Sequence, residues 1–268
     1  MNIAVLMTCH NRRGITLRCL SSLHAAAEQL GARVKDEHLN VHVFLVDDGS
    51  TDGTSDAVQT WHESLPPSST STFGLNLIAG TGNLYWAKGM ALAWREALGY
   101  DFDYFLWLND DAILRQDALV LASQAASANC SAVINGTMID SSGNPSYGYN
   151  VRNTGLAGNF VFVPRMIYEK VGPICDGYHH SWADRDYGMQ VEKVGFRIVS
   201  CGVVGETEWH PHRPLLKNMS LGARIASLRD PKGWNVHDLW LLRKRNWNVL
   251  FAYVSAFHLI VHVLIGRD

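Results

Sequence analysis

The sequence predicts an α/β fold: a mostly parallel central sheet flanked by helices, with a helical extension at the C-terminal end. Three observations carry that expectation. Short apolar runs alternate with stretches of helical spacing through residues 3–108, and two of those runs stop abruptly at paired aspartates. From about residue 130 the alternation gives way to a mixed pattern, and the chain closes on a basic, aromatic tail.

Residues 3–7 form a first apolar strand. Residues 15–30 then place Leu20, Leu23, Ala27 and Leu30 at helical spacing and stop at Gly31, a residue suited to ending a helix. A second strand, 41–46, runs into Asp47-Asp48-Gly49-Ser50, after which Asp52 caps a helix through about Leu65. The Pro/Ser/Thr run 66–72 reads as a surface loop. Residues 75–79 are the third strand, 87–98 a helix, and 104–108 the fourth strand.

In the second half, residues 132–139 and 158–163 read as strands separated by the turn-rich stretch 141–145 and a Gly/Tyr/Asn loop. Pro164 opens a short helix ending at Gly172, a helix over 184–194 ends at Gly195, and 196–201 form a late strand.

At 268 residues with 47% hydrophobic content, the chain can bury a large core without disulfides. Its five cysteines are scattered, with no paired or zinc-type spacing, which suits reduced thiols in the cytosol. The N-terminus runs straight into the first strand and shows no signal-peptide pattern. Charge is uneven: residues 1–210 hold 14 Lys/Arg against 22 Asp/Glu, whereas residues 211–268 hold 9 against 3. No nucleic-acid reading motif accompanies that basic tail, so a nucleic-acid partner is not expected.

Chemistry concentrates in three acidic sites. Asp47-Asp48 and Asp110-Asp111 each follow a strand, and Asp184 and Asp186 open a helix after Tyr178-His179-His180-Ser181-Trp182. Adjacent carboxylates repel, and burying either without a partner costs several kcal/mol by order of magnitude, so each pair calls for a cation or a turn that solvates it. A hard divalent ion that bridges phosphates is one answer, and a solvated turn or helix cap is the other.

Taken in order, Met7-Thr8-Cys9-His10-Asn11-Arg12, Val46-Asp47-Asp48-Gly49-Ser50-Thr51-Asp52, Asn109-Asp110-Asp111, Ala183-Asp184-Arg185-Asp186 and His210 resemble the motifs of the family 2 glycosyltransferases. The resemblance covers roughly residues 1–215 and includes a rhamnosyltransferase-like subgroup among its options. It implies a GT-A fold and an inverting, metal-dependent enzyme that takes its sugar from a nucleoside-diphosphate donor. The domain division that follows is a catalytic domain over 1–215, with a nucleotide-binding half (1–112) and an acceptor-binding half (113–215), and a basic amphipathic tail over 216–268.

By that resemblance Thr8 and Arg12 contact the nucleotide, Asp48 accepts a hydrogen bond from a uracil- or thymine-like base, and Asp110 faces the ribose. Lys88, near a helix start, suits the diphosphate. Asp111 and His210 are the metal ligands for Mn²⁺ or Mg²⁺, with His212 the rival of His210. Asp184 is the catalytic base and Asp186 the alternative. Trp182 and Tyr178 are sugar-stacking platforms or core residues. Three positions depart from the family pattern: Asn109 replaces an Asp, Ala183 a Glu, and Gln190 an Arg.

The acceptor implied is a glycan or polyprenyl-linked saccharide in surface-polysaccharide assembly at the cytosolic face of the membrane. Residues 247–265 are strongly apolar, with Asn248, Ser255, His258 and His262 as a polar stripe, and Arg243-Lys244-Arg245-Asn246 precede them. That pattern suits interfacial membrane contact through 243–265, packing on the core or a homo-oligomer contact, with a transmembrane helix the remaining alternative. A sugar nucleotidyltransferase and a non-catalytic glycan-binding module are the other functional classes. The first lacks its Gly-rich, arginine-containing loop here, and the second has no use for Asp184.

Overall fold

The structure, a computed structural model, describes residues 1–34, 39–66, 71–145, 156–207 and 215–266. Strand β1 (Asn2–Cys9) explains the central layering by itself. Successive side chains of a strand point to opposite faces, and here both faces are covered. Ile3, Val5 and Met7 join one core with Leu20, Leu23 and Leu30 of helix α1 (Arg13–Val34). On the opposite face Ala4 and Leu6 join Met90, Ala93 and Trp94 of a later helix.

The remaining elements in chain order are β2 (Leu39–Asp47), α2 (Thr54–Glu63), β3 (Ser71–Ala79), α3 (Tyr85–Ala97), β4 (Tyr104–Leu108), β5 (Ala112–Leu114), α4 (Ala118–Ala128) and β6 (Ala132–Ile139). They continue with β7 (Phe160–Pro164), α5 (Arg165–Val171), α6 (Ala183–Lys193), β8 (Arg197–Thr207), a 3₁₀ turn (Leu216–Asn218), α7 (Leu221–Ser227), α8 (Val236–Asn246) and α9 (Val249–Ile265).

One eight-stranded sheet runs in the order β3-β2-β1-β4-β7-β6-β8-β5. The pairs β1/β2, β2/β3, β1/β4 and β6/β8 are parallel, while β7 is antiparallel to both β4 and β6. The mostly parallel sheet is therefore as expected. Because the chain moves outward from β1 to β2 and β3 and then returns to β4 on the other side, the ends of β1, β2 and β4 share one edge at a switch point. Open α/β sheets bind ligands in that crevice.

Three elements differ from the sequence reading. Ser71 and Thr72, the end of the run read as a loop, begin β3, paired in parallel register with Leu39 and Asn40 of β2, so pairing overrides their loop-like composition. Strand β5 is too short to show a period, and exists because Ala112 and Leu114 pair with Thr207 and Gly205 of β8. Helix α4 is absent from the sequence reading, because its polar face is only Ser123, Gln124 and Ser127 among alanines, a weak helical period.

Candidate active site

The loops after β1 and β2 are tied together first. Asn11, at φ 51°, accepts a hydrogen bond on its side chain from Thr51 N at 2.7 Å and donates its own N–H to Ser50 Oγ at 2.8 Å. His10 Nδ1 lies 2.7 Å from the carbonyl of Asp48. Asp47 accepts from Ser50 N at 2.9 Å and from the Ser55 hydroxyl, so it ties the turn after β2 to the first turn of α2.

Asp48, expected to meet the nucleotide base, is engaged by backbone. Its Oδ1 accepts from Gly82 N at 2.7 Å, and its Oδ2 from Leu84 N and Tyr85 N, each at 2.9 Å. Both oxygens are directed at the start of α3, so Asp48 clamps the turn that begins this helix. Thr8 also sits against α3: a Cβ on Gly89 would come within 2.5 Å of its Oγ1, which makes Gly89 the point where the helix seats on β1. Lys88 lies beside it, half-buried in the helix's first turn.

The acidic pair closes the crevice. Asp110 and Asp111 are both buried, and Arg12 meets them: its Nη1 is 2.9 Å from Asp110 Oδ1 and 3.1 Å from Asp111 Oδ2. Burial raises the Asp110 carboxyl to about 6, the charge of Asp111 adds to the rise, and Arg12 pulls against it. Burial opposes the Arg12 charge, yet the two carboxylates hold its pKa above the ordinary guanidinium value. These two buried carboxylates form an oxygen donor set that already stabilises positive charge, which is what a hard divalent cation requires. His210, the expected second metal ligand, and His212 lie outside the described residues.

Asn109 points away from this pair. Its Oδ1 accepts from Trp86 Nε1 at 2.8 Å and its Nδ2 donates to Asn159 Oδ1 at 2.6 Å. An aspartate could accept the first bond and could not donate the second. Asn109 thus bridges Trp86 and Asn159, and an aspartate here would keep the second bond only with the Asn159 amide turned over. Trp86, Asn159 and Gly158 are site residues that the sequence reading missed. A Cβ on Gly158 would fall 2.6 Å from the Trp86 ring, but no sequence pattern announces that contact.

Asp184 joins the site through the same segment. Its Oδ2 accepts from Gly158 N at 3.2 Å and its Oδ1 from Arg185 N at 2.8 Å. Burial raises its pKa above the ordinary aspartate value, against the lowering effect of those N–H bonds. Asp186, the alternative base, is 1% exposed and fully engaged: Arg245 Nε donates at 2.8 Å, Asn246 Nδ2 at 2.7 Å and Gln190 Nε2 at 3.3 Å. It fastens α8 to α6 and is not available as a base.

Trp182 precedes α6 at φ 73°, half-buried, with the Arg185 guanidinium 5.7 Å from its ring centre. Tyr178 is completely buried in the core beside Trp94 and Leu242, so its ring offers no face to a sugar and the stacking expectation is corrected to packing. The non-glycine residues with positive φ among the described residues are Asn11, Tyr85 and Trp182, and all three flank this crevice. Strained backbone of this kind concentrates where a site is held in place by its surroundings.

The Glycosyl transferase family 2 model matches residues 4–185, which takes in both acidic loops and Asp184. The chain belongs to glycosyl transferase family 2. Its fold is that of the GT-A enzymes of the family. A mannosyltransferase from Pyrobaculum calidifontis, PcManGT, solved with GDP-Man and Mn²⁺, is similar at a TM-score of 0.60 and 18% identity, over 100% of this chain and 76% of that one. S. aureus TarS, residues 1–349 with UDP-GlcNAc, is similar at 0.61 and 13% identity, over 98% of this chain and 82% of that one. The comparison with curated proteins gives no match. At these identities the solved structures speak to the shared family 2 fold, and the site chemistry rests on this chain's own residues.

Proposed function

We propose that this family 2 glycosyltransferase moves a sugar from a UDP- or dTDP-sugar to a hydroxyl of a glycan or polyprenyl-linked saccharide, with inversion, in surface-polysaccharide synthesis. One observation carries the reading. Asp184, a carboxylate of raised pKa, is hydrogen-bonded to Gly158, the next residue Asn159 is bonded to Asn109, and Asn109 leads directly into Asp110-Asp111. A base and an acidic, cation-stabilising loop are thereby fixed on one crevice at the sheet's switch point.

In this reading Asp184 takes the proton of the acceptor hydroxyl as that oxygen attacks the anomeric carbon from the face opposite the leaving diphosphate. Its raised pKa brings it closer to the working pH of a general base. Arg12, Lys88 and Thr8 line the donor side, with the Lys88 ammonium supplying the positive charge for the diphosphate, since the first N–H groups of α3 are already taken by Asp48 and the His179 carbonyl. Asp110 faces the ribose. Mn²⁺ or Mg²⁺ held by Asp111, and by His210 as the family resemblance implies, supplies Lewis-acid neutralisation of the diphosphate charge. Trp182 is the acceptor-side aromatic. Residues 1–215 form the catalytic unit in this proposal, and 216–268 its basic tail.

The tail gives the site an address. On α9 the outward face is the apolar one: Leu250 is 75% exposed and Phe257 69%, and Tyr253, Val254 and Ile265 share their side. Of its polar residues, Asn248 caps the helix start, His262 packs against Trp234 and His258 is exposed, while Ala252 and Val263 are buried. Arg243 and Lys244 lie beside the helix start, over the rings of Trp247 and Trp240. No helix of the described residues is long and apolar enough to cross a membrane. We assign this face to peripheral contact with an anionic membrane on the cytosolic side; a homo-oligomer contact is the outcome that the vesicle test below would expose. The reaction itself is checked by the anomeric configuration of the product, read by NMR. Inversion supports the single-base reading, and retention overturns it.

A further inference from the structure

On the far side of α6's leading loop, three side chains that the proposed reaction does not use converge. Asp238, in the first turn of α8, is completely buried, and it receives the loop's backbone: His179 N at 3.2 Å to each oxygen, His180 N at 3.2 Å and Ser181 N at 3.3 Å to Oδ2. Two imidazoles then aim at the same oxygen. His179 Nδ1 lies 2.9 Å and His237 Nδ1 3.3 Å from Asp238 Oδ1, and the two rings stand 5.2 Å apart at 77°.

Read as hydrogen bonding alone, the arrangement is crowded. Oδ1 would accept from His179 N, His179 Nδ1 and His237 Nδ1, three donors for a carbonyl-type oxygen with two lone pairs, and both rings would have to carry their proton on Nδ1. A cation among the three atoms resolves both demands, since each Nδ1 then offers a lone pair. The ligand atoms lie within 4.8 Å of one another. A tetrahedral ion with bonds of about 2.0–2.1 Å holds its ligand atoms roughly 3.3 Å apart, close to the 2.9 and 3.3 Å from the two imidazoles to the carboxylate.

We propose that His179, His237 and Asp238 bind a Zn²⁺-class divalent ion. Two imidazoles and one carboxylate favour Zn²⁺, Co²⁺ or Ni²⁺ over Mg²⁺ and Ca²⁺. The carboxylate is oriented in advance by the backbone N–H groups of residues 179–181, the outer-sphere support that metal ligands normally have. His237 is half-exposed, which gives an entry path and leaves a position for water. The ion's place in the fold defines its role. His179 also accepts Ala87 N on its carbonyl at 3.2 Å, next to Trp86 and Lys88, and Asp184 follows five residues later. An ion here pins α8 to the loop that aims Trp182 and Asp184, and so braces the acceptor side without touching the reacting atoms.

The test uses the full-length protein, stripped with chelator and titrated with Zn²⁺ in excess Mg²⁺ against a chromophoric competitor. Metal content is measured after gel filtration, and Co²⁺ is used as a spectroscopic probe. The proposal predicts one tightly held Zn²⁺ per chain and tetrahedral d–d bands with Co²⁺. Loss of an outer-sphere partner typically weakens a metal site by about 10–100-fold, so His237→Ala, which removes a direct ligand from the surface, should weaken Zn²⁺ by at least about a hundredfold. His179→Gln should act the same way, with both variants retaining the far-UV spectrum of the parent. Asp111→Asn and His210→Ala, which alter the donor side, should leave the Zn²⁺ affinity unchanged. Equal affinity in His237→Ala and wild type, loss of Zn²⁺ in Asp111→Asn instead, or no retained Zn²⁺ in wild type would each overturn the proposal.

Discussion

A single guanidinium nitrogen bridges the acidic pair: Arg12 Nη1 is 2.9 Å from Asp110 Oδ1 and 3.1 Å from Asp111 Oδ2. In the proposed reading a divalent cation answers the same need as the arginine and would compete with it for the same oxygens. Removing one member of a fully buried ion pair costs about 3–5 kcal/mol, and the 37% exposure of Arg12 reduces that to about 1–3 kcal/mol for Arg12→Gln. In chelator the variant should melt below wild type, and Mn²⁺ should raise its Tm by more than it raises that of wild type. Identical responses to Mn²⁺ in the two proteins would show that Arg12 and the cation do not share a site.

Asn109→Asp restores the family's residue and should still do harm. The new carboxylate cannot donate to Asn159 and places a further negative charge beside Asp110. The Asn159 amide must turn over to meet the new carboxylate, and the charge crowded against buried Asp110 should lower stability, which urea unfolding would read. A variant as stable as the parent would contradict that expectation.

Asp186 should act as a structural tie and not as a base. Arg245→Met leaves its buried carboxylate with the amides of Asn246 and Gln190 alone, and is expected to cost about 2 kcal/mol in urea melts. Because Asp186 stands two residues after Asp184 on α6, kcat should fall while donor KM holds. An unchanged unfolding midpoint would contradict the clamp.

The pH profile follows from Asp184. Its pKa is raised, so the proton is held to higher pH than on an ordinary aspartate, and the base is inactive below that value. Turnover should rise with pH through an acid limb that lies above the usual Asp range near 3.8, and that limb should be absent from the residual rate of Asp184→Asn. A profile flat down to the ordinary aspartate value would mean that a different group titrates.

The tail makes its own forecast. Wild type should float with vesicles containing anionic lipid, and Leu250→Asp with Phe257→Asp should abolish flotation with the far-UV spectrum intact. Concentration-dependent dimerisation without vesicle binding, lost in the same double variant, would assign the face to a second copy.

Much of this was legible in the residues because it depends on local pattern. The alternating apolar runs fixed the parallel strands through β4, and the motif order located both acidic loops and Asp184. What was not legible depends on partners distant in sequence. Asp48 reads as a free acid until the chain returns at Gly82 to cover it. Tyr178 looks like a stacking aromatic until the second core closes over it, and Asn109 looks like a lapsed Asp until Asn159 arrives fifty residues later. Likewise β5 and the long end of β8 are made by each other, with no periodic signal in either.

The central claim is that Asp184 is the base of a nucleotide-sugar glycosyl transfer, and release of nucleoside diphosphate across a donor panel tests it most directly. With Mn²⁺ or Mg²⁺ present, wild type should release UDP or dTDP from at least one sugar donor in an acceptor-stimulated manner. Asp184→Asn should lower that rate by about 10²–10⁴-fold, the usual worth of a general base, with donor binding retained. Release from no donor, or an Asp184→Asn rate equal to that of wild type, would contradict the account.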